Sequence, residues 1–453
     1  MHKSTLAIAV AVGLLAQQAS AAGFIEDSKA TLKLRNFYIN NDNRDSGTKA
    51  AGAQSKAEEW GQGFQLDFTS GFTQGTVGFG IDAIGLLGVK LDSSTAKHGN
   101  PTGSNYGGSV FPSDGNHAVD DFSSLGLTAK AKVSQTELRI GTLQPKLPVI
   151  VSNDGRMLPQ TFQGGQITSS EFKDLTFTGG QIEHAKGRNS SNNEGLSIAG
   201  ANNSITGKFV NKFYYGGVDY KVNKDLLLQY YYGNLEDFYK QNFLGLVHNW
   251  SIGPGVLKSD LRYFNSTDDG KNGHDSAYYT TGDYANSSAG SGKGKVDNNL
   301  ISGLFLYTVE GHTFGGGYQV SNGSSDFPFL NQGDGASAYI PTDMQISKFA
   351  RAGERTWQAR YSYDFAKVGV PGLTAGAVYL RGDNIDTYNS KNVQTSNGSS
   401  EWERDITVAY VIQEGTLKNL GFMWKNAMWR NDIAGLRDQD ENRLIVSYSI
   451  PLL

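Results

Sequence analysis

Three things that the sequence lacks exclude whole classes of protein. None of its 453 residues is cysteine, so disulfides, thiolate nucleophiles and zinc–thiolate sites are ruled out. No segment beyond the first residues approaches the roughly 18 consecutive apolar residues of a membrane-spanning helix. A large excess of positive or negative charge is also missing, because 40 basic and 44 acidic residues leave a net charge of −4. This balance gives no indication of nucleic-acid binding.

Signatures of catalysis and of cofactor binding are missing as well. The seven histidines are scattered, and none forms the His-x-x-x-His pair that a zinc hydrolase places on a helix. Residues 78–83 match a loose dinucleotide pattern but lie inside a predicted strand, and 290–294 lack the Ser or Thr of a P-loop. The sequence therefore predicts no enzyme, no metal and no cofactor. A hydrolase that uses loop His and Asp side chains is the alternative.

The first 21 residues have the pattern of a secretory signal peptide. Lys3 is followed by the apolar run 6–15 and by small residues at 19–21, and ten apolar residues are too few to cross a bilayer. We expect cleavage before Ala22 and one mature domain over residues 22–453.

The mature part consists of short segments that alternate apolar and polar residues. Phe64, Leu66 and Phe68 alternate with polar neighbours, and 357–365 repeat this pattern with charges at mid-strand. Successive strand side chains face opposite sides of a sheet, so each segment has one apolar and one wet face. Only 38% of residues are hydrophobic, which is low for a soluble core but suits a barrel with lipid outside and water inside. The predicted fold class is all-β, a transmembrane antiparallel β-barrel.

Polar segments of two lengths separate the strands. Short turns such as 222–225, 309–312 and 414–416 alternate with nine long segments. The long segments are 41–59, 92–122, 143–166, 185–205, 234–242, 265–297, 322–354, 383–403 and 431–440. Together these predict eighteen strands running from about Thr31 to about Ile450, with both termini in the periplasm. Sixteen strands remain an alternative.

A barrel this wide leaves an aqueous channel that something must narrow. The third long segment is richer in proline and apolar residues than the others, and we expect it to fold inward as a constriction. Pro148, Arg156 and Leu158 are its candidate residues, and Lys348 in the later long segment 322–354 is a further candidate for the constriction. An ordinary external loop stiffened by proline is the alternative.

Strand phase predicts which cations face the channel. In the last strand Leu444, Val446 and Tyr448 face lipid, so Arg443 faces inward, because arginine on the lipid face at mid-membrane costs about 2–4 kcal/mol. The same phase turns Arg360 inward. The full predicted path comprises Arg35, Lys130, Lys132, Arg139, Arg156, Lys258, Arg262, Arg360, Arg381, Lys425 and Arg443, although the phase of Arg35 and Arg381 is ambiguous. Guanidinium groups bind carboxylates bidentately, so such a series suits a carboxylate solute, while pairing with luminal acids would merely brace the wall.

Stretches along the whole mature chain resemble one family. They are 23–28, 34–38, 70–78, 156–160, 354–361, 369–373 and 442–446, and they resemble the OprD-type outer-membrane carboxylate channels. The resemblance implies an eighteen-stranded barrel, monomeric or loosely trimeric in outer-membrane lipid, with an inward third loop and a basic ladder for small carboxylates.

Two departures from this family bear on the solute. The amino-acid-selective branch tends to carry an acid in its seventh loop, where this chain has Lys348, and the seventeenth strand has Met423 and Lys425 where two arginines are common. We therefore expect selective, passive uptake of small carboxylates and poor passage of cationic amino acids. The alternative is a general diffusion porin with weak ion selectivity.

Overall fold

Eighteen antiparallel strands form one closed sheet in the computed structural model, which describes residues 23–44, 56–98, 110–198, 209–271, 295–331, 337–388, 394–433 and 436–453. The predicted signal peptide lies outside these residues. The strands are β1 (Lys29–Asn43), β2 (Lys56–Thr69), β3 (Gly78–Asp92), β4 (Asp121–Val133), β5 (Thr136–Leu143), β6 (Thr161–Ser169), β7 (Leu175–Lys186), β8 (Phe213–Lys221), β9 (Leu226–Leu235), β10 (Tyr239–Ile252), β11 (Gly255–Asp268), β12 (Asp297–Val309), β13 (His312–Gly323), β14 (Arg355–Asp364), β15 (Leu373–Tyr388), β16 (Gln394–Val411), β17 (Gly421–Asn431) and β18 (Gln439–Pro451).

Each strand pairs with its neighbours in sequence, and the first pairs with the last. The register of β1 with β18 runs from Thr31 opposite Pro451 to Asn43 opposite Gln439, so the sheet has no free edge. Closure satisfies every backbone ladder inside the bilayer, where no water can do so. In the described residues the helices are a single turn at Thr95–His98 and a 3₁₀ turn at Phe365–Val368. Neither is long or apolar enough to cross a membrane.

The predicted strand phase is confirmed. Leu444 is 50% exposed to the barrel exterior, whereas Arg443 beside it is 6% exposed. On β14, Trp357 and Tyr361 point outward while Thr356 and Gln358 are buried inside. The alternation follows from the strand period of two and from the cost of a charge in lipid.

Several outward-facing aromatic residues bond to asparagine on the next strand, near the end of the barrel that carries the long loops. Trp60 Nε1 donates to Asn36 Oδ1 at 2.8 Å, and Tyr230 Oη donates to Asn242 Oδ1 at 3.0 Å. Tyr263 Oη lies 3.2 Å from Asn299 Oδ1 in the same arrangement. Such aromatics lie where one end is apolar and the other wet, so they mark a membrane–water interface.

Two predicted loops are shorter than expected because strands extend into them. β15 continues to Tyr388 and β16 begins at Gln394, inside the segment predicted as loop 383–403. A ladder needs only backbone groups, so a Ser- and Asn-rich segment can pair once it is beyond the membrane. The predicted loop 234–242 shrinks to 236–238, because Leu235, Phe238 and Tyr239 are fully buried.

Candidate functional site: the luminal constriction

The third loop, L3 (144–160), folds into the barrel as predicted. Its first half packs with Val149 and Ile150 in an apolar cluster against β6–β12. Its second half packs with Met157 and Leu158 in another cluster against β1–β4. Because the two clusters lie against widely separated parts of the wall, L3 crosses the lumen. The seventh loop, L7 (324–354), joins it through a β-bridge between Val151 and Ser337.

Glycines on the luminal face of β2 and β3 leave the space into which Met157 packs. A Cβ atom at Gly63 would lie 2.8 Å from the Met157 carbonyl oxygen, and one at Gly61 would lie 2.6 Å from its sulfur. A Cβ at Gly88 would lie 2.6 Å from Met157 Cε. Only glycine permits this close approach, so the wall is shaped for an inward loop.

Three arginines converge on residues 154–156 of L3. Arg35 Nη1 lies 2.7 Å from Asp154 Oδ1 and donates to the Arg156 carbonyl at 2.7 Å. Arg443 Nη1 donates to the Gly155 carbonyl at 3.3 Å. The third is Arg156 itself, whose Nη1 lies 3.9 Å from Glu441 Oε2. The structure thus brings together three of the predicted path residues.

Wall arginines also hold L7. Arg443 Nη2 donates to the Gln345 carbonyl at 3.1 Å, so this one guanidinium bonds to both inward loops. Arg262 Nη1 donates to the Tyr339 carbonyl at 3.0 Å and stacks 4.1 Å from the Tyr339 ring centroid. Arg360 donates to the Pro341 carbonyl. Much of the ladder therefore positions loops.

A separate cationic group borders an open cavity. The cavity of about 420 Å³ is lined by Asp67, Asp82, Arg139 and the start of L3. Lys130 Nζ lies 2.7 Å from Asp82 Oδ1, and Arg139 Nη2 lies 3.7 Å from Asp82 Oδ2. Because 41% of the Arg139 side chain stays exposed, it can meet a solute.

Lys33 completes this cationic group and was missed from the sequence. Its Nζ lies 2.6 Å from Asp67 Oδ2, and 48% of its side chain is exposed. Its place between the apolar residues Leu32 and Leu34 gives the same inward phase as Arg443, so that alternation was an available signal.

Three carboxylates on β16 tether L7 and were also missed. Glu403 accepts hydrogen bonds from the backbone nitrogens of Ile346 at 2.9 Å and Ser347 at 2.7 Å. Glu401 accepts from Ser347 Oγ at 2.7 Å, and Asp405 from the Gln345 nitrogen at 3.4 Å. All three are buried beneath the loop. Their carboxyl groups are therefore covered by L7 and largely hidden from the channel.

Within L7, two acidic residues are notable. Asp343 Oδ1 lies 3.0 Å from Lys348 Nζ, so the lysine that replaces an expected acid has an acid beside it. Asp326 is buried and accepts a hydrogen bond from the Ala352 nitrogen at 2.8 Å. Burial raises the pKa of Asp326 to about 6.

Several predicted residues lie elsewhere than expected. Arg381 is directly opposite Trp357 and Trp402 in the ladder and shares their outward face, so its place in the luminal path was wrong. Its mixed neighbours hid this phase. Pro148 and Leu158 are buried in packing contacts and support L3, so they do not line an open passage.

The remaining predicted cations face the lumen. Lys425 lies opposite Arg443 in the ladder, which extends the cationic face of the last two strands. Lys132 Nζ lies 5.8 Å from the Phe72 ring centroid, near the turn that follows β4. Lys258 shares the inward phase of Arg262 on β11 and is exposed.

A buried Glu–His pair anchors the second loop, L2 (93–120). Glu59 Oε1 lies 2.6 Å from His98 Nδ1, and Glu59 Oε2 accepts from the Val110 nitrogen at 2.7 Å. His98 Nε2 lies 2.8 Å from Ser113 Oγ on the exposed side of the loop. Glu59 comes from β2, so this network joins L2 to the barrel wall.

Comparison with known proteins agrees with this architecture. The model of the family "outer membrane porin, OprD family" matches residues 22–452. Porin-like protein GalP of Pseudomonas putida is 36% identical over 99% of this chain and 97% of its own. The crystal structure of OccK8 (OprE) of Pseudomonas aeruginosa is 62% identical, with a TM-score of 0.83 over 95% of this chain and 100% of its own.

A further solved structure, Pseudomonas aeruginosa OpdK with vanillate, is 35% identical, with a TM-score of 0.80 over 95% of this chain and 100% of its own. The family match covers nearly the full chain. The closed eighteen-stranded barrel and the inward third loop are the features that the resemblance to this family implied. The chain therefore belongs to the OprD family of bacterial outer-membrane porins.

Proposed function

We propose that this porin takes up small carboxylate solutes selectively and passively, guided by luminal Arg and Lys side chains. The observation that carries the proposal is the convergence of Arg35, Arg156 and Arg443 on L3. Clustered like charges in a narrow, poorly screened passage focus a positive field and raise the local concentration of anions. Each site along the path must also release its solute. Arginines whose charge is partly compensated by nearby acids meet this requirement, because they bind the solute less tightly.

Two further observations support the proposal. Arg139 and Lys33 keep exposed side chains beside the 420 Å³ cavity, whereas the carboxylates of β16 are covered by L7. The related OpdK was solved with vanillate, an aromatic carboxylate. We infer that the solute class of this chain includes small aromatic acids.

A liposome uptake screen tests the proposal across benzoate, vanillate, dicarboxylates, neutral sugars and arginine. We expect benzoate-like acids to enter faster than arginine or a sugar of similar size. Arginine entering faster than benzoate would refute it. A general diffusion porin would instead give large, unsaturable single-channel conductance, while selective uptake predicts small conductance that carboxylates block saturably.

Ester hydrolysis is a second candidate because of one observation. Ser113, His98 and Glu59 are linked as nucleophile, base and orienting carboxylate would be, with distances of 2.8 and 2.6 Å. The refolded protein is assayed with p-nitrophenyl acetate beside His98→Ala and Ser113→Ala. Hydrolysis that both substitutions abolish would establish the activity, whereas hydrolysis at the level of buffer would assign the network to anchoring L2.

A further inference from the structure

The outer surface of the barrel carries a localised group of arginines. Nine arginines lie in the described strands, and five of them face the lumen. The other four face outward, one on each of the consecutive strands β14 to β17. These are Arg355, Arg381, Arg404 and Arg430, and we call them the arginine strip.

Aromatic residues alternate with the arginine strip in the ladder. Arg381 lies between Trp357 and Trp402, and Arg404 lies opposite Tyr379. The ring centroids of Trp357 and Tyr379 are 5.3 Å apart, and those of Tyr379 and Trp402 are 5.8 Å apart. Such rings mark the membrane interface, so the strip lies at headgroup level on the side of the long loops.

Two of the four arginines in the strip are paired with carboxylates, and the positive charge of the other two is not neutralised in this way within the described residues. Arg381 pairs with Asp383 at 3.1 Å, and Arg430 pairs with Asp440 at 2.7 Å. Arg404 Nη2 instead donates to the amide oxygen of Asn426 at 2.5 Å, and no carboxylate of the described residues pairs with it. Arg355 is exposed, and its ladder partner Asp383 is already paired with Arg381. A guanidinium group at a lipid interface can bind a phosphate bidentately.

We propose that the arginine strip binds the phosphate groups of a glycolipid in the outer leaflet of the outer membrane. Arg355 and Arg404 take the phosphate oxygens, and the Trp357–Tyr379–Trp402 rings contact the sugar and the upper acyl chains. A second protein copy fits this surface less well, because two copies would place uncompensated arginines against each other.

The test is lipid titration of the full barrel in nanodiscs, followed by native mass spectrometry. The probes are a bisphosphorylated diglucosamine lipid and the same lipid after phosphate removal. Each arginine at a charged lipid interface raises the binding affinity by a factor of about five. The double variant Arg355→Gln with Arg404→Gln should therefore bind the phosphorylated lipid about 25-fold more weakly. Lys240→Gln is the matched control. Lys240 is a cation on β10, at the end of the barrel that carries the long loops, but far from the strip.

Heat-resistant migration on unboiled gels confirms that each variant keeps its barrel. We expect the phosphate-free lipid to bind wild type and the double variant alike. Equal binding of both lipids to wild type would refute the proposal. So would a loss in Lys240→Gln as large as in the double variant, since it would show non-specific attraction. Binding of inorganic phosphate as tight as that of the lipid would likewise refute it, because the strip would then be a site for free phosphate.

Discussion

At the scale of single residues, luminal cations divide into two kinds. Arg35, Arg262, Arg360 and Arg443 donate to loop carbonyls, so replacing them disturbs both charge and loop position. Arg139 instead bonds to Glu137 on its own strand, with Nε 2.5 Å from Oε1. The two kinds allow the role of charge to be separated from that of architecture.

Arg139→Gln should lower benzoate flux about fivefold, since one charge acting near a solute contributes about 1 kcal/mol. Flux is measured by liposome uptake. Arg381→Gln removes the same charge from the outer face and should leave flux unchanged. If both variants lose equal flux, local luminal charge is not the cause.

Lys348→Asp should shift preference from carboxylates toward zwitterionic or cationic amino acids. The change places a second acid near Asp343, which now lies 3.0 Å from Lys348 Nζ, and creates a partner for a solute ammonium. Competition between benzoate and arginine measures the shift. Lys348→Gln is the control, because it removes the cation without adding an acid, and an equal shift in both variants would contradict this role.

Prediction from the sequence succeeded at residues where lipid penalises the wrong phase. Arg443, Arg360 and Lys130 face inward as expected, since their neighbours are apolar. Arg381 was misplaced because at the membrane interface both faces tolerate charge. The carboxylates Glu401 and Glu403 were missed because their partners, the hydroxyl and the backbone nitrogen of Ser347, lie in L7, and a partner distant in sequence leaves no local signal.

At the scale of elements, L3 depends on the shape of the wall that receives it. Gly63→Leu should displace L3, because a Cβ would lie 2.8 Å from a backbone oxygen that cannot rotate away. Overpacking of this kind costs about 1–3 kcal/mol, enough to move a loop while the barrel stays closed. Single-channel conductance should rise, and carboxylate preference should fall.

Gly316→Leu is the control for this experiment, because nothing lies within 4 Å of a Cβ at that position. It should leave conductance and preference at wild-type values. Wild-type conductance in Gly63→Leu, with the barrel intact on gels, would show that L3 does not narrow the channel.

The buried Asp326 makes the stability of L7 depend on pH. Its folded pKa of about 6 lies above its usual value of 3.8, so the ionised form is disfavoured in the folded loop. The cost is full above pH 6 and disappears as pH falls toward 4, because the folded loop then holds the extra proton. It amounts to at most about 3 kcal/mol.

Hydrogen exchange of L7 amides should therefore slow between pH 7 and pH 5, after correction for the intrinsic rate. Asp326→Asn keeps an acceptor for the Ala352 nitrogen without the charge, and its protection should be high and independent of pH. The same pH dependence in this variant would assign the effect to another group.

At the scale of the whole molecule, the closed sheet is a rigid frame around a charged passage. Both the strand count and the pairing of β1 with β18 were predictable, because the alternation of loops and turns is a global pattern. The crossing path of L3 was predictable only in outline. Its anchors, such as Gly61 and Arg35, are contributed by strands far away in sequence.

The positive field of the lumen should make ion selectivity depend on salt. The screening length falls from roughly 10 Å at 0.1 M to roughly 3 Å at 1 M. Reversal potentials in KCl gradients should show chloride preference at low salt that declines toward unity at high salt. Potassium preference, or a preference that salt does not change, would contradict a field set by exposed luminal cations.

The hydrogen bonds from Arg35, Arg360 and Arg443 to L3 and L7 end on main-chain carbonyls. A carbonyl is present whatever amino acid occupies the position, so these bonds survive substitution of the loop side chains. Mutations in the two loops can therefore alter the shape and polarity of the passage while the loops keep their course. An ancestor with this frame could diversify its solutes by point mutation, without first having to rebuild the supports that hold its constriction in place.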